Sequence, residues 1–92
     1  MDRQTRAAFE RLLDLARSDT GQARIAANFV LAWWNAGSLG AFDIAELFSV
    51  DRYVAVDIAK VFTHIAGLNV AEYPTEYRAE IEGIIRTWRS DI

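Results

Sequence analysis

The amino-acid sequence predicts an all-α fold, a compact bundle of four to five helices around a central, apolar second helix. Three observations lead there. Apolar residues recur at three- and four-residue spacing through most of the chain, the rhythm of one helix face. No stretch keeps the strict two-residue alternation of a half-buried strand, although one short strand near Asn69–Glu72 stays open. Helix-starting residues and glycines stand where the periodic stretches begin and end. The 92 residues make one domain, 1–92, with no linker, repeat or low-complexity tract.

The first helix is expected from about Thr5 to Arg17, with Phe9, Leu12, Leu13 and Ala16 inward. Ser18-Asp19-Thr20-Gly21 breaks it. The second runs from about Thr20 to Asn35, with Asp19 as its cap and Gln22 completing a capping box. From Ile25 to Ala36 it is apolar nearly all round, so other helices or a second copy of the chain must cover it. Gly37 is placed to end it in the left-handed conformation.

A short third helix, Asp43 to Phe48, carries the best local start signal. Asp43 caps, Glu46 reciprocates at the third position, and Phe42 with Leu47 forms a hydrophobic staple. The fourth helix starts at Asp51 and runs to about Ala66. Val54, Ile58, Val61, Phe62 and Ile65 form its buried stripe, while Tyr53, Asp57, Lys60 and His64 line the other face. Leu68 to Pro74 reads as a loop. The fifth helix spans about Thr75 to Arg89, with Tyr77, Ile81, Ile84, Ile85 and Trp88 inward, and Gly83 marks a close helix–helix contact.

Composition removes several function classes. There is no cysteine, so neither disulfides, thiolate zinc sites nor thiol catalysis are available, which fits a cytoplasmic protein. The net charge of −3 argues against nucleic acid, whose binding depends on neutralising phosphates. Residues 25–42 carry no charge, but Asn28, Asn35, Gly37, Ser38 and Gly40 interrupt them, and the run is too short to cross a membrane. No metal-ligand spacing and no phosphate loop is present; Gly37-Ser-Leu-Gly40 lacks the length and the lysine. No cofactor and no catalytic residue is expected.

The candidate binding residues fall in two places. Asp43 to Lys60 has the spacing of a helix-turn-helix, whose second helix would present Arg52, Tyr53, Val56, Asp57 and Lys60. Arg52 suits guanine and Lys60 a phosphate, but Asp57 opposes both. The same face suits a protein partner, with His64 one turn further on. A lone histidine without an orienting partner is a poor general base. Trp33 and Trp34 point about 100° apart on one helix, so packing takes one more readily than both. The acidic region of the last helix, with Glu72, Glu76, Glu80, Glu82 and Asp91, is interrupted by Arg78, Arg86 and Arg89 and reads as a solvated face.

Four pieces carry a family resemblance: Ser18-Asp-Thr-Gly-Gln, Ala27-Asn-Phe-Val-Leu-Ala-Trp-Trp-Asn-Ala, Phe42-Asp-Ile-Ala-Glu-Leu-Phe-Ser-Val-Asp and Arg86-Thr-Trp-Arg. The chain resembles a family of small proteobacterial proteins of unknown function found on plasmids and integrative mobile elements. It departs from them at Phe48, where members carry tryptophan, and at Ser90, where they carry proline. The resemblance implies a mobile-element accessory protein and assigns no site residue. The expected function is therefore non-enzymatic binding of a protein partner through Trp33, Trp34, Arg52, Tyr53, Asp57, Lys60 and His64. The target would be a host or defence complex, inhibited as anti-CRISPR proteins inhibit theirs, and a homodimer is expected slightly ahead of a monomer. The alternative is a helix-turn-helix DNA-binding regulator.

Overall fold

The computed structural model describes residues 1–91. Four α-helices carry the fold: α1 (Arg3–Ala16), α2 (Gly21–Leu39), α3 (Arg52–Ala66) and α4 (Arg78–Trp88). Two 3-10 helices, Ile44–Ser49 and Thr75–Tyr77, lead into α3 and α4, and no strand forms among the described residues. The Leu68–Pro74 stretch is irregular.

α1 begins two residues earlier than its apolar rhythm suggests. Asp2 is the N-cap, and its carboxylate accepts from the Thr5 amide at 2.7 Å. Ala8, Phe9, Leu12, Leu13 and Ala16 are all fully buried and pack against both α2 and α3. α2 contributes Ala23, Ile25, Ala26, Ala27, Phe29, Val30 and Leu31, so its first half is surrounded and shares the centre with α1. Its cap is Thr20, whose hydroxyl accepts from the Ala23 amide at 3.1 Å, not the expected Asp19.

The end of α2 also differs from the expectation. At Asn35 the backbone leaves helical geometry (φ −169°, ψ 78°), and the Asn35 Oδ1 accepts from the Ser38 amide at 3.2 Å. Asn35 thus re-caps one further turn, which carries Gly37 inside the helix. The helix ends at Gly40, whose φ of 103° is a conformation that side chains disfavour. Arg89 closes this end. Its Nε donates to the Leu39 carbonyl at 2.8 Å, and its Nη2 donates to Asn28 Oδ1 at 2.8 Å.

α4 docks through aromatic and polar contacts. Phe9 meets Tyr77 edge-on with ring centroids 5.3 Å apart. The Tyr77 hydroxyl donates to Glu10 at 2.7 Å and accepts from Arg6 at 2.9 Å. Trp88 Nε1 donates to the Ala16 carbonyl at 2.7 Å, capping the end of α1. Gly83 makes no close helix contact: a Cβ there would meet nothing nearer than Arg86 Nη2 at 3.7 Å. The radius of gyration is 12.2 Å. The value expected for a close-packed chain of this length is about 12.3 Å.

Candidate functional site

The site is best built from α3, because the sequence places both candidate surfaces there. Val54, Ile58 and Val61 are buried as expected. On a helix of 3.6 residues per turn, Asp57 and Phe62 flank the Val54–Ile58–Val61–Ile65 stripe on opposite sides, each about 70° from its centre. Hydrophobicity alone would roll the helix to bury Phe62 and solvate Asp57. The structure does the reverse: Asp57 is 5% exposed and Phe62 is 60% exposed.

The cause is Arg11 on α1. Its Nε and Nη2 each donate to one oxygen of Asp57, both at 2.9 Å. This fork-on-carboxylate pair satisfies the buried group fully. The Arg11 pKa is raised, first by the hydrogen bond to Asp57 and then by its charge. The expectation that Asp57 lies on the outer face is therefore corrected: it faces α1.

The corner before α3 is suspended from the start of α2. Gln22 accepts from the Asp51 amide at 2.7 Å and donates to Asp51 Oδ2 at 3.1 Å. Asp51 holds the N-cap position of α3, yet its carboxylate serves Gln22 instead of the helix amides. Arg24 Nη1 meets Glu46 Oε1 at 3.0 Å. So Gln22 and Glu46 are inter-element ties, and neither completes a capping box. The third helix is 3-10, with the Asp43 carboxylate accepting from the Ala45 amide at 3.0 Å. Phe42 and Leu47 pack on the core, while Ile44 is 70% and Phe48 is 92% exposed.

Between α2, the second half of α3 and the irregular stretch after it lies an open apolar groove of about 650 Å³. Phe29, Ala32 and Trp33 of α2 form one wall and Phe62 and Ile65 of α3 the other. Phe42 and Ile44 close one end, and Leu68 to Tyr73 cover the remaining side. Val70 and Tyr73, both exposed, stand on that rim. Trp33 anchors its wall. It meets Phe9 edge-on at 5.5 Å, and its Nε1 donates to the Glu72 carbonyl at 3.0 Å. That bond holds the irregular stretch against α2, so no strand is needed to order it.

Of the residues expected to bind, the structure gathers some and separates others. Trp33 lines the groove, with the His64 ring edge-on behind it at 6.4 Å. His64 and Lys60 share a second, smaller cleft of about 420 Å³ with Asp2, Gln4 and Val56. Trp34 is half-buried, and the Arg78 guanidinium lies over its ring, 5.0 Å from the centroid. Arg52 and Tyr53 are exposed at the start of α3. The sequence reading missed the groove itself. Its signal was the apolar Leu68, Val70 and Tyr73 in a stretch with no helix period, which need a neighbour.

Among the described residues no group of three His, Asp or Glu could hold a metal ion, and no helix is long and apolar enough to cross a membrane. A model described as a family of unknown function, DUF7673, matches residues 6–89. No curated protein and no solved structure matches the chain.

Proposed function

The chain belongs to DUF7673, a family of unknown function, and we propose that it acts without chemistry of its own, by docking a protein partner in the groove between α2 and α3. The observation that carries this reading is the exposed Phe62 on the groove wall, while Asp57, on the opposite side of the same stripe, is buried. Sequences break the local hydrophobic rule chiefly where function requires it. Ile44, Phe62, Val70 and Tyr73 all stand exposed around one concavity, the arrangement of an interaction site more than of a closed core. From the resemblance we take the chain to be a cytoplasmic accessory protein of a mobile element, and its target to be a host or defence component that it inhibits.

The test is capture with defined variants. The wild-type chain should retain one stoichiometric partner from its host, and Ile44→Glu and Phe62→Glu should both lose it while keeping their helical circular dichroism. A partner that both variants retain overturns the reading.

The regulator reading has one support of its own. With Asp57 turned to α1, the outer face of α3 keeps Arg52 and Lys60 as cations and loses its most opposed acid. Duplex DNA binding that falls with salt and disappears in Arg52→Ala would move the assignment there.

A further inference from the structure

We propose that the occupant of the groove is a basic amphipathic helix, an apolar stripe flanked by lysine or arginine. This rests on the docking reading above and names the chemistry of the partner.

The first argument is charge. The segments that build the groove, residues 25–51 and 61–77, contain no lysine or arginine but five acids. Three of the five are committed elsewhere: Glu46 to Arg24, Glu76 to Arg6 and Asp51 to Gln22. Of the other two, Glu72 lines the groove, and Asp43, whose carboxylate caps the Ala45 amide, lies in sequence between the lining residues Phe42 and Ile44; both are exposed. The neighbouring arginine, Arg78, sits beyond Tyr73 with its guanidinium over Trp34. An occupant therefore meets apolar walls and a rim of one sign. Complementary potentials favour the right partner, and like charges exclude the wrong one.

The second argument is shape. A small-molecule pocket needs a few free polar groups to orient its ligand. Here the indole N–H of Trp33 and the Glu72 carbonyl already satisfy each other, and the polar side chains of the lining, Asn69, Glu72 and Tyr73, all belong to the irregular stretch on one side. What the groove offers is room for apolar side chains, about 650 Å³ of it, open along one side. A helix presenting anchors at i, i+3 or i+4, and i+7 fills such a trough. The exposed aromatic rim is large enough to matter. At 150–250 Å² per aromatic side chain, Phe62 and Tyr73 together leave roughly 200 Å² in water before Ile44 and Val70 are added.

Two synthetic helical peptides of about 18 residues test the proposal, sharing one Leu/Phe stripe but flanked by lysine in one and glutamate in the other. Binding is read by fluorescence anisotropy at low and at physiological salt. The lysine peptide should bind at least about tenfold tighter, and the gap should narrow as salt screens it. Asp43→Lys with Glu72→Lys should reverse the preference, and Phe62→Glu should abolish both complexes. Equal affinities, or a preference for the glutamate peptide, overturn the proposal. A chain that sediments as a dimer, binds neither peptide and becomes monomeric in Phe62→Glu also overturns it, because a second copy is then the occupant. If the captured partner maps to the groove but docks a neutral or acidic segment, the proposal falls while the docking function stands.

Discussion

Arg11 on α1 and Asp57 on α3 form a two-pronged ion pair, both bonds 2.9 Å long, that sets the roll of α3. Asp57 lies at 5% exposure, whereas the Arg11 side chain keeps about half its surface in water. The pair is asymmetric, so its two halves should respond differently to removal. Arg11→Ala strands a buried carboxylate without a donor. Asp57→Ala leaves a guanidinium that can turn into water. Arg11→Ala should therefore lower Tm more than Asp57→Ala. Replacing both, as Arg11→Met with Asp57→Leu, should recover most of the loss, because an apolar pair of similar volume often substitutes for a buried ion pair. Thermal melts of the three variants check the order. Equal losses in the two single variants would show that the pair does not set the roll.

Two ionisable groups give the stability a predictable pH dependence. The Asp2 carboxyl is held below its ordinary value of 3.8, chiefly by the hydrogen bond from the Thr5 backbone amide. A depressed carboxyl stabilises the fold above its unfolded value and loses that contribution as pH falls through the folded value. Asp2→Ala should thus melt a few degrees lower at neutral pH and converge with wild type in strong acid.

At the alkaline end the group is Tyr77. Burial first, and then its bond to Glu10, raise the phenol above its ordinary value of 10.0. A raised group stabilises the fold below its unfolded value and loses that contribution as pH climbs through the folded one. Ultraviolet titration should show one phenol, that of Tyr77, ionising late, above its ordinary value. Tyr77→Phe should remove the late step. A Tyr77 that titrates at its ordinary value would contradict the buried placement.

The glycines separate what the sequence shows from what it hides. In the sequence Gly37, which directly follows the apolar run, reads as the stop of α2, yet the chain stops at Gly40. The distinction depends on the Asn35 side chain, which re-caps one more turn and moves the stop to Gly40. Gly40→Ala should cost about 1–3 kcal/mol, because its φ of 103° is strained for any side chain. Gly37→Ala should be tolerated, with only Asn35 Oδ1 at 3.7 Å from the added methyl. Gly83→Ala should stabilise by about 1 kcal/mol, as an open helix position gains propensity. Urea unfolding resolves all three signs.

The limits of the sequence follow one physical pattern. Local signals were legible: the helix periods, the Asp43 start and the buried faces of Phe9, Leu12, Val54, Ile58 and Ile81 all stand as read. Relations across the fold were not. Gln22 and Glu46 match a capping box by spacing, but partners about 20 to 30 positions away, Asp51 and Arg24, take their side chains. Asp57 and Phe62 are symmetric about their stripe, and only Arg11, 46 positions away, decides which is buried. The groove is invisible for the same reason, since α2, α3 and the irregular stretch each supply a wall that means nothing alone.

Exposure around the groove separates function from folding. A phenylalanine 60% exposed and another 92% exposed contribute little to the core. Surface substitutions away from buried features usually stay within about ±0.5 kcal/mol. Phe48→Ser and Phe62→Ser should therefore leave the unfolding free energy almost unchanged and improve solubility, since each removes apolar surface from water. Trp33→Ala should behave in the opposite way. Its ring packs on Phe9 and its N–H holds the Glu72 carbonyl, so its loss should destabilise the chain and free the stretch from Leu68 to Tyr73. Hydrogen exchange would then show new opening at Val70 to Tyr73 in Trp33→Ala but not in Phe62→Ser. If Phe62→Ser instead costs as much stability as Trp33→Ala, the residue is core, and its exposure carries no function.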